Sequence, residues 1–228
     1  PTGFASTSSL CNCARPFRRE TQMGFYDRHI LPPLLSAMMG TKPIRYQRKK
    51  VVPRAEGRVL EIGFGAGHNL PFYDAAKVSH LWALEPSREI RAKAAERIAA
   101  SPLEIEFLDL PGEEIPLEDD AADTVLVTYT LCTIPDVMRA LSGMRRVLKP
   151  TGNLIFCEHG AAPDESVKRW QARLDPAWGR IAGGCHLNRA VPQLLQDAGF
   201  RIGDIQTMYL PGTPRFAGFN YWGSATKA

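Results

Sequence analysis

Short apolar runs alternate with longer mixed segments along this chain. Residues 58–62, 79–84, 104–109, 123–130 and 152–157 are short stretches rich in Val, Leu, Ile, Phe and Ala. Runs of this length read as buried strands. Between them, 67–75, 87–100 and 135–148 space their apolar residues at helical intervals. Strands interleaved with helices predict a parallel sheet built from right-handed crossovers. Lys149-Pro150-Thr151-Gly152 is a helix stop and turn before the fifth strand. A helix pair is predicted at 163–178 and 188–198, stopped by Gly199, followed by strands at about 201–209 and 219–227. Upstream, Phe25, Tyr26, Ile30, Leu34, Leu35 and Met38 fall near helical spacing, and Pro32-Pro33 predict a break into two short pieces. A further helix is predicted from Pro43 to Val52, so that 23–56 form a helical cap on a core at 57–228.

The first strand leads into the most informative stretch, Arg-Val-Leu-Glu-Ile-Gly-Phe-Gly-Ala-Gly-His-Asn at 58–69. Gly63, Gly65 and Gly67 allow positive φ and a close approach of ligand to backbone. The glycines alone read equally as an ordinary βα turn, and two details sharpen them. A dinucleotide fingerprint wants Gly or Ala where His68 stands, and an acid, Glu61, lies two positions before the first glycine. The next strand, His-Leu-Trp-Ala-Leu, ends in Glu85-Pro86. An acid at this place in a nucleotide-binding α/β fold accepts hydrogen bonds from both ribose hydroxyls.

Composition narrows the classes. The 228 residues, 44% hydrophobic and 23% charged, suit one globular domain over 23–228. Net charge is +4, and the basic residues gather only at Arg45, Arg48, Lys49, Lys50 and Arg54. This cluster reads as the solvated face of a helix, with contact to an acidic or membrane surface as the sharper alternative. A nucleic-acid enzyme would show more basic residues with interleaved aromatics. Five cysteines, Cys11, Cys13, Cys132, Cys157 and Cys185, without a C-x-x-C, argue against a disulfide framework and a zinc site, and favour a reducing cytoplasm. No run approaches the ~20 apolar residues that span a bilayer. Residues 1–22 are Ser-, Thr- and Arg-rich, with a first acid at Glu20. They read as a disordered tail, an over-long gene start, or a transit peptide that would direct the chain to an organelle.

Glu61-x-Gly63-x-Gly65-x-Gly67 resembles motif I of class I S-adenosylmethionine (SAM) methyltransferases. The stretch 24–228 resembles the ubiquinone/menaquinone-methyltransferase-like members of that family. Pro111–Leu117 resembles the loop after strand three, Ala122–Val125 and Thr128–Cys132 the start and end of strand four, and Val147–Gly152 the turn before strand five. The resemblance implies a Rossmann-like α/β fold with a mostly parallel seven-stranded sheet, helices on both faces and an antiparallel hairpin closing it. It implies SAM as cofactor, held by Glu61, Gly63, Gly65, Gly67, Asn69, Glu85 and Pro86. Gly112 and Glu113 would lie along the adenine, and Thr128 and Leu131 beside the methionine part. More narrowly, Leu131-Cys132-Thr133-Ile134, Cys157-Glu158-His159, Asp175-Pro176-x-Trp178 and Gly184-Cys185-His186-Leu187-x-Arg189 resemble a branch that includes the mammalian alkyl-thiol S-methyltransferases. Mammalian members of the branch begin with a membrane anchor, and membrane attachment is not implied for this chain.

The acceptor side is less legible. Tyr26 and Tyr129 sit on segments expected to meet at the cofactor's methyl group, while Trp170 and Trp178 are explained by one buried helix face. His159 reads as a satisfied structural histidine, and His186 reads equally as structural or as a general base. Cys157, His159, Cys185 and His186 fit no zinc spacing, and Cys157 reads as a core residue, so no metal is expected. The expected reaction is S-methylation of a small thiol or sulfide by in-line displacement. Methylation of a lipid or quinone head group, with peripheral membrane contact, and a non-catalytic SAM-binding module stand as alternatives.

Overall fold

The computed structural model describes residues 30–228. Tyr26, and the readings of residues 1–29, lie outside them. The elements run α1 (Leu31–Met39), α2 (Lys42–Val51), β1 (Gly57–Ile62), β2 (Val78–Leu84), α3 (Arg88–Ala92), α4 (Ala95–Ala99), β3 (Ile105–Leu108), β4 (Ala122–Thr128), α5 (Val137–Val147), β5 (Leu148–His159), α6 (Glu165–Ile181), α7 (Val191–Asp197), β6 (Phe200–Tyr209), α8 (Arg215–Gly218) and β7 (Phe219–Lys227). The strands form one sheet in the order β3-β2-β1-β4-β5-β7-β6. β1 to β5 are parallel, and β7 runs antiparallel to both β5 and β6. The strand order reverses between β1 and β4, and ligands in open α/β sheets bind at the carboxyl ends of strands at such a point.

Strand alternation sorts the core into two layers. Leu60 and Ile62 of β1 pack with Val125, Val127 and Phe156 beneath α5 and α7, through Leu141, Met144, Val191 and Leu195. Val59 faces the other way, with Leu81, Leu126, Ile155 and Cys157, toward Val51 of α2. The same alternation turns Glu61 and Thr128 toward α2, at the strand ends where the apolar layer stops.

Two local expectations need correction. No α-helix spans 67–75. A 3-10 turn at Leu70–Phe72 stands there, because Gly63, Gly65 and Gly67 all take positive φ and Pro71 opens the turn. The helix expected at 87–100 is two short ones, α3 and α4. The helical piece expected before Pro32 and Pro33 lies outside the described residues, and the two prolines open α1. They lie in its first turn, where a missing N–H has no intrahelical partner to lose.

Candidate active site

A buried polar network fills the angle between α2 and the ends of β1 and β4. Arg48, only 4% exposed, donates through Nη1 to Asn69 Oδ1 and Thr128 Oγ1, both at 3.1 Å. Asn69 donates in turn to Glu61 Oε1 at 2.9 Å and to Thr128 Oγ1 at 3.0 Å. Tyr73 donates to Glu61 Oε2 at 2.6 Å. Burial pushes the Glu61 carboxyl up to about 7, against the pull of Tyr73, Asn69 and Arg48. The Arg48 guanidinium stands 5.3 Å from the centre of the Tyr129 ring, and its Nε has no acceptor. A buried charged donor left open costs a full desolvation penalty, which an anionic acceptor at Arg48 Nε would relieve.

Arg48 overturns the solvated-face reading of the basic cluster at its centre. It lies at helical spacing with Ile44, Gln47 and Val51, so one side of α2 carries both apolar contact and the cation. That spacing was the available signal, and the run of Arg and Lys obscured it. Its neighbours Arg45 and Lys49 are exposed.

The glycine loop shows two kinds of glycine. A Cβ on Gly63 would collide with Thr130, and one on Gly67 would press on Ala94 and Leu70, so both are demanded by packing. A Cβ on Gly65 would meet nothing nearer than 3.8 Å, so this glycine borders open space. Its N–H donates to Glu85 Oε2 at 2.9 Å, and Ser87 N–H donates to Glu85 Oε1 at 2.9 Å. Burial raises the Glu85 carboxyl above its ordinary value, opposed by these two bonds. Each carboxylate oxygen keeps a second lone pair for a ligand donor. Pro86 beside it is exposed. His68 touches Ser36 Oγ at 3.3 Å, and burial lowers its imidazole to about 4. It borders a cleft of about 670 Å³ between α1 and the α3–α4 pair, lined also by Ala37, Lys93 and Arg97, on the outer side of the loop.

Other expected residues are placed less suggestively. Gly112 is buried against Ile134, and Glu113 accepts from the Asp136 N–H at 3.2 Å near the start of α5. Leu131 is fully buried, its N–H donating to Glu158 Oε1 at 3.2 Å and its carbonyl accepting from Arg189. Tyr129 ends β4 at φ +54, an uncommon conformation for a bulky residue, and donates through its hydroxyl to Asn220 at 2.7 Å.

Past the ends of β4 and β5, four separate stretches meet. Cys185 Sγ lies 3.2 Å from His159 Nε2, and Cys132 Sγ, His159 and Cys185 bring their ligand atoms within 4.8 Å of one another. The His186 N–H donates to the Cys132 carbonyl at 2.9 Å. His186 Nδ1 is 2.9 Å from Asp175 Oδ2, and Leu187 N–H donates to Asp175 Oδ1 at 2.6 Å. Glu158 accepts from the Thr130 and Leu131 N–H groups, and burial raises its carboxyl to about 7. Trp178 packs on Cys132 and Cys185, its indole N–H buried without an acceptor. Trp170 is 57% exposed, so the two tryptophans do not share one buried face. Cys157, as expected, is buried in the sheet core.

Comparison with known proteins adds identity to this geometry. Residues 60–156 match a methyltransferase domain model. The chain is 34% identical over 161 residues to human thiol S-methyltransferase TMT1B, covering 68% of this chain and 65% of the relative. It is 30% identical to human thiol S-methyltransferase TMT1A, covering 77% and 72%. It is 29% identical to phosphatidylethanolamine N-methyltransferase of Cereibacter sphaeroides, covering 68% and 75%. The chain thus spans just under two thirds of TMT1B. Among solved structures, a SAM-dependent methyltransferase from Thermotoga maritima has the same fold at a TM-score of 0.60 and 22% identity, covering 88% of this chain and 99% of that one. One from Mesorhizobium loti matches at 0.61 and 19%, covering 82% and 99%.

Proposed function

We propose that this chain, which belongs to the class I SAM-dependent methyltransferases, delivers its methyl group to the sulfur of a small thiol or sulfide. The observation that carries the reading is the meeting of four stretches past β4 and β5. Leu131-Cys132, Cys157-Glu158-His159, Asp175-Pro176 and Gly184-Cys185-His186 are far apart in sequence and touch in space. These are the stretches that resemble the thiol branch, and the similarity to TMT1A and TMT1B supports the same acceptor.

The residues present fit SAM by the chemistry of their donors. Glu85, with lone pairs to spare, suits a ribose diol, and open space at Gly65 lets a nucleoside approach the main chain. The free Nε of Arg48 suits the carboxylate of the methionine half. Glu61 and Asn69 support Arg48 and keep Thr128 in place. When bound, SAM supplies an electrophilic methyl group on a sulfonium. The protein's task is then alignment, worth roughly 7–11 kcal/mol, and generation of a thiolate, since that is the attacking form. On this reading His186, held by Asp175, takes the thiol proton. Asp175 accepting from Nδ1–H would leave Nε2 as the base.

Glu158 accepts through Oε1 alone and its buried Oε2 has no partner among the described residues, so the acids here do not choose between a thiol and an amine; the four thiol-branch stretches favour the thiol. A methyl-transfer assay should therefore show turnover with small thiols, measured beside phosphatidylethanolamine and a quinol. Methylation of either of the latter, and of no thiol tested, would overturn the acceptor while leaving the family intact.

A further inference from the structure

We propose that Cys132, His159 and Cys185 form a zinc-type divalent cation site whose fourth coordination position is open to an external sulfur. The three residues come from the loop after β4, the end of β5 and the loop after α6. Their sequence spacing resembles no metal motif, and only the fold joins them. Two soft thiol sulfurs and one imidazole nitrogen make a donor set that selects zinc over magnesium or calcium. Tetrahedral zinc with bonds of about 2.3 Å to sulfur and 2.0 Å to nitrogen separates such donors by roughly 3.5–3.8 Å. The Cys185–His159 distance is 3.2 Å, and all three ligand atoms lie within 4.8 Å of one another. Shifts of a few tenths of an ångström to about one ångström would seat the ion.

The surroundings suit thiolates. The Trp178 indole N–H is buried, packs against both cysteines and has no acceptor. A sulfur carrying negative charge would give it one. The Arg189 guanidinium, anchored on the Leu131 and Ile134 carbonyls, places a second positive group nearby.

Three protein ligands leave one corner of a tetrahedron free, the arrangement of catalytic rather than structural zinc sites. A thiol entering that corner loses its proton on coordination. The balance is simple: two protons leave Cys132 and Cys185 when the cation binds, and one passes from the incoming thiol to His186, and from there to solvent, as its sulfur–metal bond forms. Nothing is oxidised or reduced. The identity of the fourth ligand rests on the thiol reading above, whereas the cation site does not.

The test uses the full chain. Protein purified without chelator should retain close to one zinc per chain by elemental mass spectrometry. Exchange for Co(II) should give a thiolate-to-cobalt charge-transfer band in the near ultraviolet, with intense visible bands of tetrahedral cobalt. Cys185→Ser and His159→Ala should each lose zinc and the band. Circular dichroism and S-adenosylhomocysteine binding report whether each variant folds, and titration of Cys132 and Cys185 with a thiol reagent in wild type, with and without zinc, gives a measure independent of the variants. Protection by zinc supports the site. A folded wild type that binds neither zinc nor cobalt, or whose two cysteines react equally with and without zinc, overturns it. Benzyl mercaptan added to the cobalt form should shift the bands. Bands that ignore the thiol overturn the open corner. Bands that shift in a protein that methylates no thiol support the site and count against the acceptor reading instead.

Discussion

Arg48→Met is the sharpest probe of the proposed cofactor site. Methionine keeps an unbranched apolar stem and removes the guanidinium with its charge. Two consequences for folding oppose each other. The Asn69 Oδ1 loses its donor, at a cost of about 1–3 kcal/mol. The desolvation of a buried guanidinium disappears, and replacing a buried ion by an apolar chain is often neutral or better. The net change in stability should be small. The change in affinity should not be. One charge-assisted bond from Nε to a carboxylate is worth about 1.5–3 kcal/mol, or roughly 10- to 140-fold in Kd. Calorimetry with two ligands isolates the cause. S-adenosylhomocysteine carries the carboxylate, and 5′-methylthioadenosine lacks the amino-acid half altogether. The variant should weaken the first by that factor and leave the second nearly unchanged. Equal weakening of both would mean that Arg48 merely props the Asn69–Thr128 network, and unchanged affinity for both would refute the assignment.

Three further outcomes follow from the same geometry. Glu61→Gln should flatten a pH dependence of stability. The native carboxyl at about 7 lies above its ordinary 4.5, so its stabilising share is complete below about pH 4.5 and is lost as pH rises through 7; wild type should fall behind the variant by about 3 kcal/mol, and parallel melting curves against pH would discard this. Gly65→Ala, strained at φ +58 by about 1–2 kcal/mol but sterically free, should fold and lose S-adenosylhomocysteine binding, whereas Gly63→Ala should lower Tm further by striking Thr130; retained binding in the former would move the ligand elsewhere. Glu85→Ala should weaken S-adenosylhomocysteine by roughly 10- to 140-fold, and an unaltered Kd would remove the ribose contact.

The sheet was legible because its signals are local. Each buried run has strand length, each is punctuated by glycine or proline, and the last two strands are separated by a single short helix, α8. The loop from 63 to 72 misled for an equally local reason, since its apolar spacing suited a helix while its glycines sat at positive φ. The acids at the ends of β1 and β2 were readable from their place after apolar runs. Arg48 was not, because a cation among cations looks solvated until the packing of α2 across the strand ends is known. Cys132, His159 and Cys185 were harder still. No spacing rule joins residues whose approach depends on two strands and a helix–loop return.

The insertion of Arg48 between α2 and the strand ends also bears on how the molecule may be cut. The matched domain begins at residue 60, downstream of this cation. A fragment trimmed to that boundary would keep the glycine loop and Glu85 yet lack the positive charge. If the cofactor engages Arg48 as proposed, ligand occupancy and the docking of α2 are linked quantities: the bound ligand would hold the helix, and release of the helix would expel the ligand. Protease sensitivity around residues 40–56 would accordingly report cofactor loading, making the N-terminal segment a clasp whose closure can be read from outside the active site.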